Sequence, residues 1–541
     1  MNNTEISNTY CSQGIFYYLM KRKLHNINIS NLAVNNSVIG SEGILSIINQ
    51  GTIKDSDING EKIKKLIDGH HMKINLPATS INLETITVEN SNTGLSSIMI
   101  ARHPTVNLKN IRISNIKDGS ISNVESLIQS LKNSNPSRYL SNIDAKNELP
   151  DLNCSEMISI SESVNLKLIS ITIFSIYCQT KSVTSGLFLQ KISGSTEINT
   201  LTLFDIEASV ASGIALNSKS ITINSLSIQN VCNLYESILL FDACDSIIID
   251  SVEIHNTSTV YSGSFIVSNT NTFSLTAFDF KNLSSQYSDG GCLNLLTGVS
   301  GSSYVIKSGY CTECKAFNAK GGAIYLDSIS KKSETVLEIN DIEIKNCLAS
   351  EGSALYLSRA VNLGNSGSIN RVLISYCLCE EGGIITDLHS FGTLKIDQLK
   401  MNNNEGLYAG IFGFYSSDTS ALQVSDSIFV DSNSKNPLFC FRALELGELV
   451  YLKNVTVKFV KGTGISIFNL KMAVNGLFMN HVSQPLLLKN YSELNATELV
   501  ITDSILNSVY LKSQSVLNCE NCEFTNNKNS VLELGDFVIL Q

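Results

Sequence analysis

The sequence predicts an all-β chain wound as a single-stranded, right-handed parallel β-helix solenoid of about 19 coils. Three observations predict it. A small residue or Pro recurs before a short alternating strand at Gly186, Gly213, Ser237, Ser264, Gly291, Gly322, Ser353, Gly383, Gly410, Pro437, Gly464, Pro485, Ser508 and Ser530. The spacings run from 21 to 31 residues, with strands constant in length and turns absorbing the variation. Within each unit apolar residues alternate with polar ones, the mark of a strand with one buried face. A single coil cannot bury that face alone, but a stack of coils can.

Taken in order, residues 1–115 read as N-terminal coils. Gly14-Ile-Phe-Tyr-Tyr-Leu19 opens one, Asn26 to Val34 supplies its second strand, and Gly43-Ile-Leu-Ser-Ile-Ile48 restarts the pattern. Residues 116–155 read as an insertion. Ser122 to Lys132 (SNVESLIQSLK) places Val124, Leu127, Ile128 and Leu131 at helical spacing, with Pro136 beyond, which predicts a helix-bearing excursion. A smaller excursion is expected over Thr52 to His71. Residues 156–541 read as continuous coils, exemplified by GIALNSKSITINSLSIQNVC from Gly213 and GAIYLDSISKKSETVLEINDIEIKNC from Gly322. Ile214 and Leu216, Ile324 with Tyr325 and Leu326, and Leu355 and Leu357 occupy equivalent strands, so alternate members should face inward. VNLKNIRISNI from Val106 mimics a leucine-rich repeat, but Leu holds no fixed frame and Ile, Val and Phe replace it freely. Coils begin almost at residue 1 and run to the end without caps, so the chain is expected to be a piece of a longer protein.

Composition narrows the function. Of 541 residues, 43% are hydrophobic and 16% charged, which suits a packed core and not a disordered chain. The balance of 39 Lys and Arg against 49 Asp and Glu gives −10 with no basic block, which argues against nucleic acid as a partner. No run approaches the roughly 18 apolar residues of a membrane-spanning helix.

The segment Phe317-Asn-Ala-Lys-Gly321-Gly322-Ala323-Ile324 resembles the repeat of polymorphic outer-membrane-type β-helical surface proteins, which join an F-x-x-N-like element to GGA-[ILV]. Cys519-Glu-Asn-Cys522-Glu-Phe524-Thr-Asn526-Asn527 resembles its first half. Ser353-Ala354-Leu355 and Gly382-Gly383-Ile384 are partial copies. The coil pattern is similar to the pectin-lyase-like β-helix class and to large Cys-containing surface proteins of protists such as ciliates. The resemblance implies an extracellular or cell-surface location, within a longer membrane-anchored or secreted protein.

There are 14 Cys. Cys314, Cys347 and Cys377 fall at the same turn of consecutive coils and should stack. With Cys311, Cys379, Cys519 and Cys522 they form either disulfides, within Cys311/Cys314 or Cys519/Cys522 or between rungs, or a ladder of buried thiols; a metal is the remaining alternative. Cys232, Cys244 and Cys292 read as core. Asn230, Asn256, Asn282 and Asn346 close equivalent strands, where stacked amides and a left-handed backbone are expected. Among the N-x-[ST] sites, Asn454, Asn490 and Asn495 are the glycosylation candidates, because an Asn inside a ladder is not free to carry a glycan. The 7 His are scattered, with solvated or packing roles.

No catalytic residue, cofactor or metal site is expected. Glycoside hydrolysis needs converging carboxylates, and the N-T-D, D-D and G-H-G patterns of polygalacturonases are absent. Asp242, Asp245 and Asp250 lack matching acids on the next coils. Asp327, Glu338, Asp341 and Glu343 read as a solvated acidic face. The expected function is a non-catalytic adhesion or recognition scaffold with a glycan or protein ligand. The alternatives are a polysaccharide lyase or hydrolase, and a structural spacer. An exposed aromatic or polar patch would mark the scaffold, a carboxylate cluster the enzyme, and neither the spacer.

Overall fold

The computed structural model describes residues 2–7, 10–11, 26–35, 38–39, 45–48, 80–89, 92–93, 98–101 and 105–117. From 157 onward it describes the chain except 179–183, 209–210, 234–236, 299–300, 329–333, 365–366, 390, 407–411, 417–418, 433–436, 536–538 and 541. Among these residues there is strand and turn but no helix. The expected helix at 122–132 and the excursion at 52–71 lie outside the described residues, while Ile116 and Lys117 still belong to the strand Thr105–Lys117. The fold is a parallel β-solenoid, and the chain divides into two compact units, Met1–Tyr261 and Ser262–Gln541.

In the first unit, Asn26–Asn35, Ser80–Glu89, Thr105–Lys117, Asn165–Cys178, Ser195–Ala208 and Ser220–Asn233 pair in parallel, each with the next. Register stacks like on like. Leu83, Leu108, Leu168, Ile198 and Ile223 form one inward column, and Ile86, Ile111, Ile171, Leu201 and Leu226 another. All ten are buried. Each such side chain contributes about 1.5–3 kcal/mol over its exposed state, which sets the register firmly. In Ala211–Leu216, Ala215 is buried, whereas Leu216, expected to face inward, is only partly so. Ala215 lies in register between Leu189 and Phe241, both buried.

The corners explain how one strand turns without breaking its ladder. In Thr272–Ser285 the inward residues are Phe273, Leu275, Phe278, Phe280, Leu283 and Ser285, an alternation interrupted twice by adjacent exposed pairs. The second member of each pair, Ala277 or Asn282, has φ of 52° or 54°. One left-handed residue bends the chain and returns the next side chain to the interior. Asn230, Asn256, Asn282 and Asn346 all hold such corners, with φ between 52° and 54°. Asn tolerates this conformation better than other non-glycine residues. Corner amides also bond from coil to coil, as where Asn230 donates to Asp205 at 2.9 Å and Asn256 to Asn230 at 3.4 Å. Outward strand residues form a further amide ladder in which Asn82 donates to Asn28 and Asn107 to Asn82, both at 2.7 Å.

In the second unit, Leu293, Ile324, Leu355, Ile385, Phe412 and Phe439 make a continuous inward column. Phe412, Phe414, Phe429, Phe439 and Phe441 interlock at centroid distances of 4.5–6.5 Å. Ile324 and Leu326 are buried, as are Leu355 and Leu357, in the expected register.

Candidate functional site

The GGA motif belongs to a four-coil series. Asp289-Gly-Gly-Cys-Leu-Asn294, Lys320-Gly-Gly-Ala-Ile-Tyr325, Glu351-Gly-Ser-Ala-Leu-Tyr356 and Glu381-Gly-Gly-Ile-Ile-Thr386 are aligned by the register of their strands. The first glycine has a left-handed backbone in three of them: φ is 76° at Gly290, 68° at Gly321 and 63° at Gly352. A Cβ there would also strike the outward residue of its own strand, 2.6 Å from Tyr325 Cβ in the case of Gly321. The second glycine lets coils approach, since a Cβ on Gly322 would lie 2.5 Å from the Ser353 carbonyl. Ala323 and Ile324 then turn inward and are buried. The motif is thus a device for seating a bulky outward side chain on a tight turn.

That outward column is Asn294, Tyr325, Tyr356 and Thr386. The Tyr325 and Tyr356 rings stack at 5.4 Å, and both are more than nine-tenths buried. Tyr325 donates to Asp327 Oδ2 at 3.1 Å, and Ser358 Oγ donates to Asp327 Oδ1. Lys320 Nζ donates to the Tyr356 hydroxyl at 2.9 Å, sits 4.7 Å from that ring's centre and lies 3.8 Å from the Glu351 carboxylate. Asp289 Oδ1 accepts from the Lys320 amide at 2.8 Å. Burial pushes the Asp289 carboxyl above the usual carboxylate range, against the opposing pull of its bonds to Lys320. Burial raises the Tyr325 hydroxyl strongly, aided by the charges of Asp289 and Asp327. Burial alone would lower Lys320, but the Tyr356 hydroxyl and the nearby carboxylates hold it above its ordinary value. Three carboxylates, an ammonium and two phenols therefore converge on adjacent coils.

Of the acids expected to form a solvated face, Asp327 belongs to this cluster. Glu338 pairs with Lys307 at 3.5 Å and Asp341 with Arg371 at 2.5 Å, both half exposed. The sequence reading missed Asp289, Lys320, Tyr325 and Tyr356. The recurring charged residue before each Gly-Gly or Gly-Ser was the available signal.

A second feature is three exposed rings around one corner series: Tyr310 on the strand before the Glu313 corner, Phe317 on the strand after it, and Tyr376 at the equivalent corner two coils on. Tyr310 is 56% exposed, Phe317 40% and Tyr376 53%. Lys345 Nζ lies 5.9 Å from the centre of the Tyr376 ring. Tyr376 is itself a corner residue with φ of 55°, equivalent to Glu313 and Asn346 on the two coils before it.

The cysteines divide between the two expected outcomes. Cys519 and Cys522 are bridged, with Cα atoms 6.1 Å apart. Cys314 is bridged to Cys292, with Cα atoms 5.8 Å apart, rather than to Cys311. Cys311, Cys347, Cys377 and Cys379 are free and buried. Cys314, Cys347 and Cys377 do share one turn, because Leu348 pairs with both Lys315 and Leu378 immediately after it. Cys244 is buried as expected, whereas Cys232 is exposed.

In the C-terminal copy, Phe524 is partly buried and Asn526 is a corner with φ of 55°. Asn527 reaches back one coil, accepting from the Ser504 amide at 2.9 Å and donating to the Ile501 carbonyl. Asn404 does the same for Cys377 and Ile374. Asn454 donates to Asp426 at 2.9 Å, and Asn495 accepts from Asn518 at 2.7 Å, so both belong to ladders. Asn490 is an exposed turn residue and is the best placed of the three for a glycan. No protein-family model, curated protein or solved structure matches the chain.

Proposed function

We propose that the chain is a non-catalytic part of a secreted or cell-surface β-helical scaffold that recognises a glycan or protein ligand. The observation carrying this reading is the set of exposed rings at Tyr310, Phe317 and Tyr376 on coils whose cores are otherwise saturated with apolar side chains. Exposed rings stack on sugar faces or peptide side chains, and Tyr adds a hydroxyl at the wet edge. The bridged Cys292–Cys314 and Cys519–Cys522 pairs support an oxidising compartment. The test is binding to an array of glycans and extracellular proteins, repeated with Tyr310→Ala, Phe317→Ala and Tyr376→Ala. Each substitution is expected to weaken a captured ligand by about threefold to tenfold. A ligand held equally well by all three variants would refute the assignment.

A second reading, an enzyme acting on polysaccharides, is favoured by one observation: the buried Asp289 carboxyl lies beside Asp327, with Lys320 and Tyr325 bonded into the same cluster. A raised carboxyl near a second carboxylate suits general acid–base work. Release of oligosaccharide from an acidic polysaccharide, abolished by Asp289→Asn, would establish that reading over the first.

A further inference from the structure

We infer that the Cys292–Cys314 bridge is exchangeable, with Cys311 as the resident third thiol, so that the second unit alternates between Cys292–Cys314 and Cys311–Cys314. Two independent observations lead there. The sulfurs of Cys292, Cys311 and Cys314 all lie within 4.8 Å of one another, and all three residues are buried. The alternative pairing also has a template in the same chain. Cys311-Thr-Glu-Cys314 and Cys519-Glu-Asn-Cys522 occupy the same kind of corner, with the third residue left-handed in each: φ is 59° at Glu313 and 54° at Asn521. At the second of these corners the Cys-x-x-Cys bridge is closed. The backbone that closes Cys519–Cys522 is therefore already present at Cys311–Cys314.

The exchange is balanced within the protein. The Cys311 thiol loses its proton, and the thiolate attacks Cys314 Sγ. The Cys311–Cys314 bond forms as the Cys292–Cys314 bond breaks. The electron pair leaves on Cys292 Sγ, which takes up the proton, and no external oxidant or reductant is consumed. The structural consequence is specific. The Cys292–Cys314 bridge closes 22 residues, a large part of one coil, whereas Cys311–Cys314 clips a single corner and frees Cys292 of the Gly-Gly turn from the Cys314 corner.

Burial in the core raises the Cys311 thiol well above its ordinary value, with Cys347 and Asp279 adding to the effect. The titratable groups around it in register are Asp279 and Lys281 on the preceding coil, Tyr310 beside it, and Glu343, Lys345 and Cys347 on the following coil. The two lysines do not offset the burial, which leaves the thiol raised, so exchange is slow at neutral pH and rises with the thiolate fraction.

The experiment uses the full chain in its native state. It is incubated without any redox reagent from about pH 7 to about pH 9, quenched in acid, alkylated with a maleimide and mapped as unreduced peptides. The Cys311–Cys314 peptide should appear at a rate rising about tenfold per pH unit, at constant total free thiol. Cys311→Ser should hold the Cys292–Cys314 bridge throughout. Refolded with oxidised glutathione, Cys292→Ser should close Cys311–Cys314. No Cys311–Cys314 peptide at the highest pH, or its appearance only with loss of free thiol, would overturn the proposal. So would a folded Cys292→Ser chain in which Cys311 and Cys314 are both alkylated. If that variant fails to fold, the wild-type time course decides alone.

Discussion

In the inward column Leu295, Leu326, Leu357, Asp387 and Phe414, one carboxylate stands where its neighbours are apolar. Asp387 and His389 are both fully buried, and their side chains meet at 2.6 Å through Nδ1. His389 Nε2 lies 3.3 Å from the Gly392 carbonyl, so both ring nitrogens are served as donors. Burial alone would lower the His389 pKa, but the Asp387 carboxylate more than offsets it and leaves the imidazole above its ordinary value. A raised folded value means the pair's stabilisation is complete below the unfolded pKa of about 6.5 and is lost as pH rises through the folded pKa. The urea midpoint should therefore fall as pH is raised from about 6 toward 9. Asp387→Asn should flatten that slope and cost about 3–5 kcal/mol, whereas replacing both residues by Leu should be close to neutral. A pH-independent midpoint in the native chain would refute the assignment. The sequence offered two polar residues two apart and nothing to show that they face the interior. Of the solvated and packing roles expected for the histidines, His389 has the packing one, with its ring 5.9 Å from that of Phe414, and the buried ion pair with Asp387 is the part the sequence did not show.

At the scale of the element, the Gly-Gly turn and the strand after it share one constraint: the coil must approach its neighbour closely before the strand can bury its inward residues. Gly322→Ala places a methyl 2.5 Å from the Ser353 carbonyl and 2.7 Å from that of Leu348, both backbone atoms that cannot swing aside. Ile324→Asp places a carboxylate in the column between Leu293 and Leu355, with no partner. Gly322→Ala should lower stability by about 1–3 kcal/mol and Ile324→Asp by more than about 4. Ser353, at the same place one coil on, should tolerate Ala, because its hydroxyl is buried without a hydrogen bond. Denaturant midpoints rank the three, and a neutral Ile324→Asp would mean the register is wrong. The strands, their inward faces and the corner asparagines were legible because period-2 alternation is a property of sequence alone. The Asp289–Lys320–Tyr356 cluster was not, because its members come from neighbouring coils and meet only through register. The Cys292–Cys314 pair was hidden for the same reason, since Cys311 is nearer to Cys314 in sequence while Cys292 arrives from the start of the preceding strand.

For the whole molecule, solenoid pairing has a thermodynamic consequence that a globular core lacks. Within each unit every strand column pairs with the coil before and the coil after, so a coil's stability depends on its neighbours alone. The interior composition is uneven. The first unit is lined by Ile and Leu columns, while the second carries the interlocked phenylalanines, the Tyr stack and both described disulfides. Cooperativity that travels only between adjacent coils cannot hold coils of such different strength to a single transition. A fully cooperative chain of 541 residues would unfold with a van't Hoff enthalpy of roughly 380 kcal/mol, at about 0.7 kcal/mol per residue. The measured van't Hoff enthalpy should instead be about half the calorimetric one or less. Reduction of the disulfides should shift only the part of the transition that reports the second unit, because a bridge acts on the coils it closes. Calorimetry on native and reduced protein reads both quantities, and a single transition with equal enthalpies, moved as a whole by reduction, would show that coupling extends well beyond neighbouring coils.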